Sequence, residues 1–76
     1  VSDWDVEVDA LGLLCPLPVL RARKALMGMK PGAVLRVLAS DPMAVVDLPH
    51  FCTQGGHGFL GMAEVAGGQA YLICRG

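Results

Sequence analysis

Two prolines one residue apart, Pro16 and Pro18, constrain this chain more than any other feature. Proline fixes its own φ near about −65° and lacks an N–H. It also disfavours helical geometry in the residue before it. The run Cys15-Pro16-Leu17-Pro18 is therefore out of place in a helix interior or a central strand. It suits a helix start, where about four N–H groups have no intrahelical partner and a missing donor is tolerated. The same rules predict Cys15 in a loop just ahead of the first turn and push both Cys15 and Leu17 out of the helical region. The N–H groups of Leu17 and Val19 are expected to stay open.

The flanking patterns supply the rest of a small domain. Trp4, Val6 and Val8 alternate with Asp3, Asp5, Glu7 and Asp9, the period of a half-buried strand. Ala10 to Cys15 reads as a short loop. From Pro16 or Pro18 to Met29 the period turns helical, with Val19, Ala22, Ala25, Leu26 and Met29 on one face. Lys30-Pro31-Gly32 stops that helix. Ala33 to Ser40 reads as a central strand buried on both faces, broken only by Arg36. Asp41 as N-cap and Pro42 as first helical residue open a second helix to about Thr53, with a kink or 3₁₀ start near Leu48 because of Pro49. Phe59 to Val65 and Gln69 to Arg75 form a hairpin around Gly67-Gly68. The order β-α-β-α-β-β implies an α/β (α+β) two-layer sandwich, a four-stranded mixed sheet with both helices on one face. The other face is left open, a place for a partner or for a weak homo-oligomer.

Composition excludes several classes. The 76 residues, one domain at most, are 54% hydrophobic and 17% charged, against the polar, charged composition of a disordered tail. Six Lys+Arg against seven Asp+Glu give a net charge of −1, so no direct nucleic-acid partner is expected. The most apolar stretch, Leu11 to Leu20, is interrupted by Gly12, Pro16 and Pro18 and falls short of the roughly 20 residues of a membrane span. The acids ahead of it argue against a secretory signal. Three cysteines, Cys15, Cys52 and Cys74, form neither an even disulfide set nor a C-x-x-C, which points to a reducing, cytoplasmic setting.

Cys15 is the candidate for chemistry. A helix N-terminus acts like about half a positive charge, and Arg21, Arg23 and Lys24 follow. A cysteine placed there is expected to ionise more readily than a free one and to act as an exposed nucleophile. The plainer alternative is a small buried hydrophobe. Arg21, Arg23 and Lys24 are either a solvated face or a docking patch for an acidic partner. Gly56, Gly58 and Gly61 match G-x-G-x-x-G, but they follow a helix and open a strand, the reverse of a dinucleotide site. His50, Cys52 and His57 lack usual zinc spacing, so no metal and no cofactor is expected. Cys52 and Cys74 are expected to pack, Cys52 with an alternative role as a resolving thiol for Cys15.

The segment Asp9-Ala10-Leu11-Gly12-Leu13-Leu14-Cys15-Pro16-Leu17-Pro18 resembles the signature of the TusA-like sulfurtransferases, sulfur carriers with a Cys-Pro-x-Pro motif. The resemblance continues through Met29-Lys30-Pro31-Gly32, Ser40-Asp41-Pro42, Leu48 to Thr53 and Tyr71-Leu72-Ile73. It implies one sulfur-carrier domain over residues 1–76. It makes Cys15 the persulfide carrier and implies docking near the first helix. From the residues themselves, Pro16, Leu17, Pro18 and Val19 are expected to support the sulfur, and Arg21 and Lys24 are candidates for docking. The implied partners are a cysteine desulfurase or rhodanese-like donor and an acceptor protein. The competing readings are a thiol redox protein using Cys15 and Cys52, and an interaction module of the same fold without chemistry.

Overall fold

The computed structural model describes residues 4–76; Asp3, part of the first alternation, lies outside the described residues. The elements are β1 (Val6–Ala10), α1 (Leu17–Met27), β2 (Val34–Ala39), α2 (Ala44–Gly55), β3 (Gly58–Val65) and β4 (Gly68–Cys74). The sheet order is β1-β2-β4-β3. β1 and β2 run parallel, joined through α1, and β4 pairs antiparallel with both β2 and β3. This is the expected mixed four-stranded sheet under two helices.

Register explains the single core. Leu35 pairs with Ile73 and Val37 with Tyr71, so every second residue of the two central strands points to the same side. Those four side chains are buried with Ala10, Ala39, Ala22 and Leu26 of α1, and Ala44, Leu48 and Cys52 of α2. Both helices therefore cover one sheet face. Burial of a side chain the size of leucine or isoleucine contributes about 1.5–3 kcal/mol, and in a chain this short few such residues carry the fold.

Four local expectations are corrected. β2 is central, yet only Leu35, Val37 and Ala39 are fully buried; Val34, Arg36 and Leu38 are half-buried on the face without helices. The apolar run hid an alternation because that open face is itself lined by apolar side chains. Ala10 belongs to β1 rather than to the loop, paired with Ala39. Leu17 is the first residue of α1, not excluded from it, and Pro18 is buried in that first turn. The restriction before proline is a preference, offset here by packing of the Pro18 ring. Finally, α2 is α-helical without a break through Pro49. Proline leaves the Val45 carbonyl without its usual donor.

The remaining joints are short. α2 ends at Gly56, whose left-handed backbone (φ 77°) lets its N–H return to Cys52 O. A bulge between Phe59 and Gly61 makes Leu60 the extra residue of β3, with Gly61 at φ 150°. Arg75 Nε donates to the Leu26 carbonyl at 2.9 Å, a cation at the C-terminal end of α1. On the open face Arg36 lies 4.2 Å above the Trp4 ring and pairs with Glu7 at 2.8 Å. No described helix is long and apolar enough to cross a membrane.

Leu48 meets the core from α2 with no exposure, whereas Val46 on the same helix is 58% exposed. Leu48→Ala is expected to lower stability by about 2–5 kcal/mol and Val46→Ala by less than about 0.5 kcal/mol, as read from urea denaturation.

Candidate functional site

Parallel pairing of β1 and β2 sets their C-terminal ends side by side, with Ala10 opposite Ala39. The loop leaving β1 is consequently next to the turn leaving β2, the position where open sheets build sites. Two side chains from the β2 exit hold that loop. Ser40 Oγ accepts from Gly12 N at 2.8 Å, and an Asp41 carboxylate oxygen accepts from Cys15 N. Asp41 also accepts from Met43 N at 3.1 Å, while its carbonyl accepts from Ala44 N at 3.0 Å. Asp41 was expected to be the N-cap of α2; the N-cap is Met43. The aspartate instead sits one turn earlier and joins the starts of both helices. It is the only charged residue buried among those described.

The loop places Cys15 as expected, exposed and just ahead of α1, with the Cys15–Pro16 bond cis. The N–H groups behind it are nearly all engaged. Leu17 N donates to Leu14 O at 2.8 Å and Leu20 N to Pro16 O at 3.1 Å. Pro18 has no donor. Among the described residues only the Val19 N–H of this turn has no partner. The expected pair of open donors is thus reduced to one, because the loop closes a turn on Leu14.

The electrostatic expectation is reversed. Cys15 Sγ donates to Asp47 Oδ2, a carboxylate in the first turn of α2, at 2.8 Å. That hydrogen bond, with some desolvation and the charges of Asp47 and Asp41, pushes the Cys15 thiol above its ordinary value. A carboxylate in direct contact outweighs a helix end worth about 0.3–1 kcal/mol. Arg21, Arg23 and Lys24 are exposed on α1. Cys15 is thus accessible, and its surroundings favour the thiol over the thiolate.

A cleft of about 270 Å³ opens beside the sulfur, lined by Cys15, Pro16 and Val19 on one side and Asp47, His50, Phe51 and Gln54 of α2 on the other. Leu14, Leu17 and Leu20, close to Cys15 in the chain, are exposed. Two features were missed in the sequence: Asp47, which shares no local motif with Cys15, and the exposed leucines, which read there as loop and helix residues. An acid in the first turn of α2 was the available signal, but not its direction.

The other candidates separate. Cys52 is buried, with its thiol pushed up by burial. Its pairing with exposed Cys15 would require a core side chain to leave. Cys74 is half-buried on the open sheet face with Ala70 and Leu72, as its alternation predicted. His57 Nδ1 accepts from Gly76 N at 2.9 Å. His50 lines the Cys15 cleft. Among the described residues no three His, Cys, Asp or Glu side chains cluster as metal ligands.

The family model for Sulfurtransferase TusA matches residues 6–75. The chain belongs to the TusA family. It is 45% identical over 73 residues to the sulfur carrier protein TusA of Allochromatium vinosum, covering 96% of each chain. It is 44% identical over 69 residues to that of Pseudomonas entomophila, covering 91% of this chain and 86% of the relative. Among solved structures it resembles a SirA-like protein from Desulfitobacterium hafniense, with a TM-score of 0.77 and 30% identity, covering 92% of this chain and 95% of that one. The TusA fold and the two-layer reading of the sequence agree.

Two outcomes follow from these ties. Asp41→Ala removes a buried acceptor of two N–H groups and should cost about 2 kcal/mol in urea unfolding. The alkaline side carries the thiol signature. Cys15 and Cys52 have folded values raised above the unfolded thiol value, which is about 8.5. Their contribution is whole below that value and disappears as pH rises through the folded ones. The urea midpoint should therefore fall above about pH 8.5, less steeply in Cys15→Ser than in the parent.

Proposed function

We propose that this protein is a sulfur carrier that takes sulfane sulfur as a persulfide on Cys15 and relays it to a cysteine of an acceptor protein. The observation that carries the reading is the exposed thiol of Cys15 at the loop–helix junction of a TusA-family chain. The donor is a protein persulfide, of the cysteine desulfurase or rhodanese type. In uptake, Cys15 Sγ bonds to the donor's outer sulfur and the donor's S–S bond breaks. Its electron pair stays on the donor's inner sulfur, which takes the proton that Cys15 gives up. The outer sulfur and its negative charge remain on Cys15. In delivery, an acceptor thiolate attacks that outer sulfur and Cys15 leaves with the pair, to be reprotonated. Each half is a thiol–disulfide-type exchange and needs neither oxidant nor metal.

Two protein surfaces must meet at one sulfur for this, and the site supports that demand. Cys15 stands on a loop pinned by Ser40 and Asp41. Leu14, Leu17 and Leu20 give it an apolar surround of the kind that partners bury, and Arg21 and Lys24 add charge for steering. Val19 N–H is the one donor in the turn able to meet a persulfide anion. The protein acts as a sulfurtransferase in the sense of a relay partner in the cytoplasm, rather than as an enzyme turning over a small substrate.

The test is intact mass after incubation with a cysteine desulfurase and cysteine. The parent and the Cys74→Ala variant should each gain one reducible sulfur, and Cys15→Ser should gain none. Sulfur appearing on Cys15→Ser would overturn the assignment.

A further inference from the structure

The contact between Cys15 and Asp47 is the feature that relay chemistry alone does not call for. A thiolate is favoured by a neighbouring cation, yet here the neighbour is an anion at 2.8 Å. Both carboxylates facing the sulfur carry the same sign. Asp47 faces it from α2, and Asp41 from the turn before α2. The start of α1 contributes Pro16 and Val19, both uncharged, and His50 of α2 lines the same cleft. Among the described residues the only ion pair is Arg36 with Glu7, so no described cation neutralises Asp47. The sulfur is exposed all the same.

We propose that Asp47 is a positioning residue that parks the unloaded Cys15 sulfur as a hydrogen-bonded thiol against the first turn of α2, slowing its reaction with stray electrophiles and oxidants. The proposal rests on the reading of Cys15 as the sulfur carrier. An exposed sulfur poised as thiolate is the form that climbs the oxidation ladder to sulfenic and sulfinic acids, and a carrier oxidised there cannot accept sulfur. A carboxylate accepting a hydrogen bond from the S–H disfavours that form without burying the atom, so the sulfur stays within reach of a partner. Uptake then includes loss of this proton, which ends on the donor's inner sulfur.

The experiment is the pH–rate profile of Cys15 with a small symmetric aromatic disulfide, followed by peptide mass mapping to separate it from Cys52 and Cys74. The parent, Asp47→Asn and Asp47→Glu are compared. Asparagine keeps the shape and removes the charge, so its midpoint should fall to lower pH; glutamate keeps the charge and should remain near the parent. A midpoint lower by one on the pH scale raises the thiolate share at more acidic pH tenfold. Nucleophilicity falls in part with pKa, leaving about a threefold faster reaction at neutral pH. Hydrogen peroxide should oxidise Cys15 faster in Asp47→Asn as well. Should that variant fail to unfold cooperatively in urea, the parent alone decides by NMR titration of its labelled Cys15 Cβ, whose midpoint should lie above that of cysteine in an unstructured peptide. Coincident profiles for parent and Asp47→Asn, or a parent midpoint at or below the peptide's, would overturn the role of Asp47. Those results are independent of sulfur loading: a Cys15 that accepts no sulfur from the desulfurase defeats the carrier reading and leaves the profiles standing, whereas coincident profiles leave loading intact.

Discussion

The Asp41 carboxylate is the tie on which the geometry of the site depends. One buried anion accepts the amide of Cys15 from one side and the amide of Met43 from the other. Charge-assisted hydrogen bonds of this kind are stronger than neutral ones, and a buried carboxylate is tolerated only when its oxygens are engaged. The arrangement makes the end of β1, the start of α1 and the start of α2 a single unit. With Ser40 holding Gly12 a few residues back, the loop that carries the sulfur is fixed from the neighbouring parallel strand rather than from its own helix.

Much of this was legible in the residues. Alternation gave the first strand, the spacing of Ala22 and Leu26 gave the buried face of α1, and the glycines around position 67 gave the hairpin. Those signals are local, and local rules describe them. The proline pair placed Cys15 correctly in a loop at a helix start, because ring geometry acts within one or two residues. Several departures came from contacts distant in sequence, such as the pairing of Ala10 with Ala39, while the closing of Leu17 N–H on Leu14 is local. Leu17 is in the helix although a proline follows it, and that Pro18 is buried. β2 looked buried on both sides because an apolar open face and a helix-covered face have the same composition.

The charge environment of Cys15 was the least legible part, and the reason is distance along the chain. A helix end and three following cations are visible in the order of residues, and they argue for a thiolate. Asp47 lies 32 residues away from Cys15 and reaches it only because the two parallel strands deliver both helix starts to one corner. The nearest charge decides, and nothing in the local sequence names it. In the same corner access and charge have separate sources: the loop leaves the sulfur open to solvent, and a carboxylate across the cleft accepts its hydrogen bond.

The bulge at Leu60 has a bearing on how such a molecule survives at high concentration. β1 and β3 are the two margins of the sheet, each with a row of backbone groups able to recruit a strand from another copy. Acidic side chains, Glu7 and Asp9, line the first margin, and the second is broken near its start by a residue that interrupts the ladder. Both margins thereby carry features that discourage fibre-like stacking along the sides of the sheet.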